Sequence, residues 1–443
     1  MPQQMTARLP SIRLTSSLYQ VQVQGIGLGL ELCGFAPLYA RHGTSGSDSD
    51  TPAPTPNTRQ EKPNRTSLRM ITQWGNRFAP SQMSPPTLLP THQDAIVADQ
   101  SGNLAISTTV PLPEIRSDEI LIKTTAVAIN PSDVKLTGQM AAPAAIAGSD
   151  CAGIVVAVGE IAQERFKVGD RVCAPTVPMD PLNPLSGAFA EYVPLVADFA
   201  LKVPKTLPLE HAAALGTGVA TIGYALFRSL CIPGHPEKKA MEPATVLVWG
   251  GSSATGTMAI QLIRRSGCIP ITACSPKNFA LVKSRGAEKA FDYHDSECAA
   301  QIKAYTGNAL DFALDCVCDA QSMQACYAAI GRAGGSYTTL EPYHQKLHTR
   351  KRIRPDWILG IALFGREIGW KDPYHVEADA ELRDFGRRWF QCVQSLLDRG
   401  EIQPHPVRIG NEVGFEGVMK GITLMKQKTV SGEKLVYRLK DTR

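Results

Sequence analysis

The run Val246-Leu-Val-Trp-Gly-Gly-Ser-Ser-Ala-Thr-Gly256 carries the strongest fold signal in this chain. Its apolar residues predict a buried parallel strand, its glycine pair predicts a turn, and residues 257–266 predict a helix that Gly267 closes. Glycines let a backbone approach a pyrophosphate, and the free N–H groups at a helix start donate hydrogen bonds to it. The run therefore predicts the first strand, turn and helix of a dinucleotide-binding unit.

The chain after this run supports that interpretation. Ser252 replaces the second glycine of G-x-G-x-x-G, so the turn alone also fits an ordinary strand–helix connection. Residues 269–273, 280–285 and 290–293 then predict a strand, a helix and a third strand. This βαβαβ order, with a pitch of about 30 residues, predicts a Rossmann-type parallel sheet and places the chain in the α/β class.

The end of the second predicted strand indicates which dinucleotide binds. NAD-binding units carry an Asp or Glu about 20 residues beyond the glycines, where it holds the ribose 2′-OH. Here that place holds Ser275 and Lys277, a hydroxyl donor and a positive charge, with no carboxylate among them. Both side chains favour a 2′-phosphate, so the sequence predicts NADPH.

Composition excludes several other classes of protein. The chain has 443 residues, of which 43% are hydrophobic and 20% are charged, enough for two globular domains. Its net charge is +5, and residues 1–82 contribute +4 from 8 Lys/Arg against 4 Asp/Glu. The remaining body is near neutral, so we expect no nucleic acid partner. No apolar run of membrane-spanning length occurs, so we expect no membrane partner.

Cysteine usage predicts a reducing compartment. The 11 cysteines form no C-x-x-C pair, and the closest pair is Cys316 and Cys318. We interpret them as reduced thiols of a cytoplasmic protein rather than as a disulfide framework or a metal site.

The first part of the chain differs in composition from the rest. Residues 1–87 are predicted to be a low-complexity, disordered extension, because they are rich in Pro, Ser, Thr, Gln and Arg. Their opening also has features of a mitochondrial presequence, with Arg8, Arg13 and no acidic residue before Glu31. A gene start at Met83 is the other explanation for this composition, so it is open whether residues 1–82 are in the mature protein.

Outside the dinucleotide unit, the chain alternates between strand and helix patterns. Residues 93–107 predict a hairpin, residues 119–130 a long strand and residues 130–135 a turn into a short helix. Residues 148–159 and 187–193 predict further strands, and residues 210–228 predict a helix of small residues. Residues 385–399 predict an amphipathic helix, and residues 414–439 predict a helix followed by a strand.

These signals resemble the medium-chain dehydrogenase/reductase superfamily over residues 88–439. Its ordered signatures are Gly169-Asp-Arg-Val172, Gly187-Ala-Phe-Ala-Glu-Tyr192, the dinucleotide unit and Gly432-Glu-Lys-Leu-Val436. Within the superfamily, Asn130-Pro-Ser-Asp133, Ser252-Ser-Ala-Thr255 and Ser275-Pro-Lys-Asn278 look like the trans-acting enoyl reductases of fungal polyketide biosynthesis. Those enzymes reduce an enoyl thioester held on a partner synthase whose own reductase domain is inactive.

The resemblance implies a GroES-like, β-rich catalytic domain and a Rossmann-type NADPH-binding domain. The domain boundaries that it implies are 88–215 for the first part of the catalytic domain, 216–370 for the NADPH-binding domain and 371–443 for the return to the catalytic domain.

Zinc alcohol dehydrogenases of the superfamily carry a Cys ligand after the first long strand and a Gly-His-Glu turn. The corresponding places here are Asn130-Pro-Ser-Asp133 and Gly148-Ser-Asp150. We therefore expect no metal at the active site and a zinc-independent reaction. Hydride addition to a conjugated C=C bond requires orientation and a proton source, but no Lewis acid.

The resemblance also implies which residues contact the cofactor. Some fit physically, because Ser252 to Thr255 lie at a helix start and Tyr293 ends a strand at the edge where dinucleotides lie. Tyr293 also fits a packing aromatic, and Val430 and Ser431 also fit a purely structural turn. The implied contacts are Asn130, Pro131, Ser132, Asp133, Ser252, Ser253, Ala254, Thr255, Ser275, Pro276, Lys277, Asn278, Tyr293, Leu340, Glu341, Val430 and Ser431.

For the substrate, the resemblance implies a helix start of small residues and an apolar strip, both of which also fit ordinary core segments. They are Gly216, Thr217, Gly218, Val219, Ala220, Thr221, Ile222 and Gly223, and Ile361, Ala362, Leu363, Phe364 and Gly365. Lys135 follows the cofactor turn and is the candidate catalytic residue, as a proton donor. A surface lysine, with water as the donor, is the alternative.

The partner implied is a polyketide synthase, or a polyketide synthase–peptide synthetase hybrid, that presents an acyl-carrier-bound substrate. We expect a monomer or a homodimer, with Lys351, Arg352 and Arg354 as a docking surface near the substrate mouth. Two other functions stay open: a stand-alone quinone or enone reductase that acts on free small molecules, and a non-catalytic NADPH-binding scaffold.

Overall fold

The computed structural model describes residues 89–439, whose strands form three sheets. In chain order the strands are β1 His92–Ala98, β2 Leu104–Pro111, β3 Glu119–Ala128, β4 Asp150–Val158, β5 Arg171–Pro175, β6 Tyr192–Val196, β7 Leu201–Lys202, β8 Thr245–Trp249, β9 Ile269–Cys274, β10 Lys289–Asp292, β11 Phe312–Asp315, β12 Gly335–Thr339, β13 Ile353–Trp357, β14 Val407–Ile409 and β15 Lys434–Arg438.

The α-helices of the described residues cover and connect these sheets. They are α1 Pro131–Lys135, α2 Leu209–Ala212, α3 Gly216–Tyr224, α4 Ala254–Arg265, α5 Phe279–Ser284, α6 Cys298–Tyr305, α7 Ala320–Ala329, α8 Ala380–Asp398 and α9 Phe415–Lys426. None of the helices within residues 89–439 is both long and apolar enough to cross a membrane. The predicted N-terminal extension, residues 1–87, lies outside the described residues.

The dinucleotide-binding unit forms one six-stranded sheet in the order β10-β9-β8-β11-β12-β13. Every neighbouring pair in it is parallel. Residues 246–249 are buried, as expected for a central strand whose two faces are both covered. Strands β9 and β10 lie on one side of β8, and β11, β12 and β13 lie on its other side. The direction of strand addition therefore reverses between β8 and β11, which creates a topological switch point there. The Rossmann-type architecture predicted from the sequence is confirmed.

A mixed, seven-stranded sheet forms the β-rich part of the molecule. Its order is β14-β15-β3-β4-β5-β7, with β6 paired to β3. Strand β15 runs antiparallel to β3, with Val436 opposite Ala128. The last strand of the described chain therefore lies beside the strand that leads into α1. This sheet and the hairpin β1–β2 confirm the predicted β-rich character of this part.

Two predicted elements differ from the structure. The helix predicted over residues 210–228 is split into α2, α3 and a π-helical turn, Ala225–Ser229. Gly216, where α3 begins, lies so close to the backbone of Ala174 and Pro175 that a Cβ there would overlap it. The strand predicted over residues 187–193 is displaced to β6. The preceding residues form isolated bonds instead, such as Phe189 N to Ala147 O at 2.8 Å. In both places, contacts with distant segments override the local pattern.

Segments that are remote along the described chain meet in one core. Helix α8 packs against α3, against β7 and against the 3-10 turn Gly360–Phe364. The position of α8 fits a return of the chain to the catalytic part after the parallel sheet. The boundaries 88–215, 216–370 and 371–443 stay a proposal.

Candidate functional site

A cavity of about 470 Å³ lies at the carboxyl edge of the parallel sheet. Its walls include the last residue of β9 and residues that follow β8, β10 and β11, so it lies at the switch point where such sheets bind ligands. The turn into α1 and the segment before β15 close it from the mixed sheet. Eight predicted cofactor residues line the cavity: Asn130, Pro131, Ser252, Ser253, Ala254, Tyr293, Val430 and Ser431.

The glycine turn and the start of α4 form the part of the cavity suited to a pyrophosphate. Gly250 has φ +81°, and a Cβ at Gly251 would overlap the Thr272 hydroxyl, so both positions require glycine. The Ser253 hydroxyl caps α4 by accepting a 3.0 Å bond from Gly256 N. Within the described chain, the amides of Ala254 and Thr255 have no protein partner. These free donors and the helix dipole fit a bound anion.

The segment after β9 holds the residues predicted to bind a 2′-phosphate. Ser275 is followed by the 3-10 turn Pro276–Asn278, and Lys277 is exposed without an ion pair among the described residues. Asp292 ends the neighbouring strand opposite Cys274, although its carboxylate accepts a 2.9 Å bond from His294 N. The exposed ammonium group of Lys277 and the hydroxyl of Ser275 fit a 2′-phosphate on the ribose. The nearby carboxylate of Asp292 already accepts a hydrogen bond from His294 N.

Two predicted segments approach each other at the edge of this cavity. A Cβ at Gly432 would lie 2.9 Å from Asn278 Oδ1, so the segment that contains Val430 and Ser431 passes close to the turn after β9. Tyr293 is 40% exposed at the cavity wall, with its ring 4.0 Å from the ring of His294. The structure therefore leaves Tyr293 available to a ligand.

A buried ion pair lies beneath Asn130, and sequence reasoning did not assign it to the site. Lys434 Nζ donates to Asp150 Oδ2 at 2.6 Å and to Asn130 Oδ1 at 2.8 Å. Asn130 Nδ2 also donates to Asp150 Oδ2, at 2.8 Å. The other carboxylate oxygen of Asp150 accepts from Thr217 N at 2.6 Å. This network connects β15, β4, α3 and the turn before α1, and it fixes the amide of Asn130 at the cavity.

The carboxyl group of Asp133 is buried next to this network. It accepts hydrogen bonds from Ser149 Oγ at 2.5 Å and from Asn130 N at 2.7 Å. Burial raises the pKa of Asp133 from 3.8 to about 7, although these two bonds oppose the shift. The Ser132 hydroxyl lies 3.4 Å from Ser149 Oγ. Asp133 therefore supports the fold of this turn, and Ser132 lies beside it.

His405 is a second cavity residue that the sequence did not indicate. Its ring is buried, and its Nδ1 lies 2.8 Å from Thr257 Oγ1 in the first turns of α4. Burial lowers the pKa of His405 from 6.5 to about 3, with the charges of Lys434 and Arg285 adding to the effect. The imidazole is therefore neutral at physiological pH. No local sequence pattern identifies His405 as a cavity residue. It precedes β14 of the mixed sheet, whereas its partner Thr257 lies on α4, which packs against the parallel sheet.

The candidate catalytic residue, Lys135, meets a predicted cofactor residue. Lys135 Nζ lies 2.5 Å from Glu341 Oε1, and Tyr374 donates a 2.7 Å bond to Glu341 Oε2. Burial, together with the Glu341 hydrogen bond, raises the pKa of Tyr374. Leu340 precedes this carboxylate at the end of β12, and its N–H donates to Cys318 Sγ. The group joins α1 to the carboxyl end of β12.

The predicted substrate helix is α3, which is mostly buried. A Cβ at Gly223 would overlap the indole of Trp389, and one at Gly360 would overlap Thr221, so close packing explains these glycines. Gly218 differs, because a Cβ there would meet no described heavy atom within 4 Å although the residue is buried. Open space therefore adjoins α3 at Gly218.

The predicted apolar strip forms the 3-10 turn Gly360–Phe364, followed by Gly365 with φ +60°. Ile361, Ala362, Leu363 and Phe364 are all buried, and the Phe364 ring packs edge-on at 4.6 Å against Phe199. Phe364 also lines a second cavity of about 280 Å³. The structure gives these residues a packing role, and their contact with a substrate stays a prediction.

The predicted docking residues lie away from the cofactor cavity. Lys351 and Arg352 precede β13, and Arg354 at the start of β13 donates to Ser336 Oγ at 2.9 Å. Because β13 is parallel to β12, these residues lie at the amino edge of the sheet, whereas the cavity lies at its carboxyl edge. These residues therefore do not flank the cofactor cavity, and their role as a docking surface stays a prediction.

Two protein families match the chain. The family described as "Alcohol dehydrogenase GroES-like domain" matches residues 116–205, and the family described as "Zinc-binding dehydrogenase" matches residues 254–339. The two matches fall on the mixed sheet and on the parallel sheet, respectively.

Relatives match almost over their whole length. Trans-enoyl reductase FSL5 of Gibberella zeae is 50% identical over 355 residues, which cover 80% of this chain and 99% of that protein. Trans-enoyl reductase ccsC of Aspergillus clavatus is 46% identical over 365 residues, covering 81% of this chain and 100% of that protein. The crystal structure of the CurK enoyl reductase has a TM-score of 0.61 at 16% identity, covering 78% of this chain and 99% of that one.

Proposed function

The chain belongs to the trans-enoyl reductases, within the medium-chain dehydrogenase/reductase superfamily, and we propose on that basis that it uses NADPH to reduce a carrier-bound enoyl thioester. It is an enoyl reductase of a polyketide pathway. The proposal concerns the choice of NADPH, the residues that act on it and the form in which the substrate arrives.

The residues at the cavity fit a dinucleotide. When bound, a reduced nicotinamide supplies a hydride to the β carbon of the enoyl group, and the α carbon takes up a proton. The amides of Ala254 and Thr255 are placed to hold the pyrophosphate, and the Lys434–Asp150 pair holds Asn130 at the cavity wall. Lys277 and Ser275 support NADPH over NADH, because a free ammonium group there attracts a phosphate dianion.

The contact between Lys135 and Glu341 carries the proposal for catalysis. These residues were predicted separately, Lys135 as proton donor and Glu341 as a cofactor contact, and the fold brings them to 2.5 Å from each other. The Glu341 carboxylate orients the Lys135 ammonium group, and the Tyr374 hydroxyl donates a hydrogen bond to that carboxylate in turn. We propose that Lys135 delivers the proton or stabilises the thioester oxygen as its negative charge develops.

The partner follows from the family. Trans-enoyl reductases of polyketide pathways work with a polyketide synthase. We propose that this enzyme serves a polyketide synthase, or a polyketide synthase–peptide synthetase hybrid, as a monomer or a homodimer.

The 10 cysteines of the described residues are free thiols, which supports a cytoplasmic location.

The test is NADPH oxidation, followed by absorbance, with a crotonyl or 2-methylbutenoyl thioester as substrate and a simple quinone as the comparison. We expect oxidation that depends on the thioester and is absent with the quinone. If free thioesters fail while NADPH binds, the same assay is run with substrate loaded on a carrier protein. NADPH binding without turnover on either form would favour the non-catalytic scaffold.

The role of Lys135 is tested by Lys135→Met, with Lys123→Met on β3 as the matched control. We expect kcat to fall by roughly 10²-fold or more for Lys135→Met, as for loss of a general acid, while the Kd for NADPH stays unchanged. Unchanged kcat would show that water supplies the proton. An increased Kd with normal kcat would assign Lys135 to cofactor binding.

A further inference from the structure

A second convergence of polar side chains lies outside the cofactor cavity, where the loop after α3 meets α8. His235 Nδ1 lies 3.7 Å from Glu237 Oε2. Cys392 joins them, and the three ligand atoms all lie within 4.8 Å of one another. Over residues 89–439, no other three His, Cys, Asp or Glu side chains converge in this way.

His235 is held in place by a tight turn and by two aromatic rings. His235 and Lys238 exchange two backbone hydrogen bonds of 2.8 and 2.9 Å, with Pro236 at the second position of the turn. The imidazole packs at 5.0 Å from the Phe227 ring and at 5.8 Å from the Trp389 ring. The ring is therefore oriented before any ligand binds, while about a third of it remains exposed.

Cys392 supplies a fixed thiol from the opposite side. It is 2% exposed on α8, one turn beyond Trp389, whose Nε1 donates a 2.8 Å bond to Val219 O. Among the described residues the Cys392 sulfur has no hydrogen-bond partner, and it forms no disulfide. A buried thiol without a partner thus faces an imidazole and a carboxylate.

From this geometry we propose that His235, Glu237 and Cys392 bind Zn²⁺ or a divalent metal ion of similar size. Thiolate, imidazole and carboxylate are the ligands that zinc prefers, with metal–ligand distances of about 2.0–2.3 Å. Those distances place neighbouring ligands of a tetrahedral site at about 3.3–3.6 Å from one another. The His235–Glu237 distance is already close to this value. Glu237, with 62% of its side chain exposed, is free to move toward the metal, and water takes the fourth position.

The proposed site is separate from the reaction. Among the described residues, its ligands do not line the cofactor cavity or the cavity at Phe364. The Cys392 thiolate and the Glu237 carboxylate would together balance the two positive charges of the metal ion. The metal would join the loop at residues 231–240 to α8, next to the helix that carries Val219, so it should stabilise the fold without changing cofactor affinity. Because His235 and Cys392 are remote in sequence, their spacing does not suggest a metal site.

The test is a titration of the full-length, metal-free protein with Co²⁺, followed by Zn²⁺ competition against a chromophoric chelator. We expect one equivalent of Co²⁺ to produce a thiolate-to-cobalt charge-transfer band that Zn²⁺ abolishes. The band should be lost in Cys392→Ser and retained in Cys298→Ser, which removes a buried thiol from α6. Because Glu237 is exposed, Glu237→Ala should fold normally and bind Co²⁺ at least tenfold more weakly.

Zn²⁺ should also raise the Tm of the wild-type protein and leave that of Glu237→Ala nearly unchanged. The proposal is overturned if no thiolate band appears at one equivalent, if the band persists in Cys392→Ser, or if Glu237→Ala and His235→Ala bind Co²⁺ as the wild type does.

Discussion

Lys277 is an exposed lysine whose position suggests selection between two cofactors. It follows Ser275 at the end of β9 and has no ion pair in the part of the chain that the structure describes. We expect Lys277→Ala to raise the Kd for NADPH by roughly tenfold or more, the cost of one charge-assisted hydrogen bond. The Kd for NADH should barely change. Titration by protein fluorescence measures both constants.

The control for this substitution is Lys283→Ala, which removes another exposed lysine from the following helix, α5. It should leave both constants unchanged. If Lys277→Ala weakened the binding of NADPH and of NADH by the same factor, that result would contradict recognition of a 2′-phosphate by Lys277.

Gly218 is the glycine of α3 at which a Cβ would meet no described heavy atom within 4 Å. We expect Gly218→Val to fold and to bind NADPH normally, since α3 does not line the cofactor cavity. If this space receives the acyl chain, the valine side chain should obstruct large acyl groups. The KM of Gly218→Val for branched or long enoyl thioesters should then rise by roughly tenfold more than its KM for a crotonyl thioester. Steady-state kinetics over a series of thioesters measures this effect.

Gly223→Ala provides the contrast, because a Cβ there overlaps Trp389. It should lower the stability of the protein, with no preference among chain lengths. Equal kinetics of Gly218→Val and the wild type on all thioesters would remove α3 from the substrate site.

Strand β15 is attached to the mixed sheet partly by the buried pair of Lys434 and Asp150, whose side chains are 3% and 0% exposed. Removal of one member of such a pair leaves an unpaired charge in the interior and typically costs about 3–5 kcal/mol. We therefore expect Lys434→Met to reduce the free energy of unfolding by that order, as measured by urea denaturation.

The double variant Lys434→Met/Asp150→Asn removes both charges and should recover much of the loss. If Lys434→Met alone unfolds like the wild type, the pair contributes nothing to the docking of β15. NADPH affinity, measured on the double variant, then reports whether the fixed amide of Asn130 matters to the cofactor.

The pH dependence of the whole molecule contains two opposing contributions from the cofactor region. Burial raises the pKa of Asp133 from 3.8 to about 7, so the stability it contributes is present at low pH and is lost as the pH rises toward 7. Burial lowers the pKa of His405 from 6.5 to about 3, so its contribution is present above pH 6.5 and is lost as the pH falls. Between about pH 4 and 6.5 the two slopes have opposite signs.

Asp133→Asn and His405→Gln separate these contributions. Across that pH range, the free energy of unfolding should rise more steeply with pH in Asp133→Asn than in the wild type, and less steeply in His405→Gln. Each difference is at most about 1.4 kcal/mol per pH unit. Urea denaturation at several pH values measures the slopes, and a shift of the same sign in both variants would contradict the assignment.

The dinucleotide unit was predictable from local sequence. A parallel strand buried on both faces requires a continuous apolar run, as in residues 246–249, and its turn requires glycine at Gly250 because φ is positive there. The free donors at the start of α4 follow from the helix alone. For the same reason, the predicted cofactor residues at Ser253 and Tyr293 line the cavity.

The sequence by itself thus determined the α/β class, the parallel sheet and the anion-binding turn, because each depends on residues a few positions apart. Only the tertiary structure decided that Lys434 pairs with Asp150, that Lys135 reaches Glu341 and that His405 contacts Thr257. It also decided that Phe364 is buried and that Lys351 lies at the edge of the parallel sheet opposite to the cofactor cavity. These relations join segments that are remote along the chain, and no local periodicity encodes which side chains a fold will bring together.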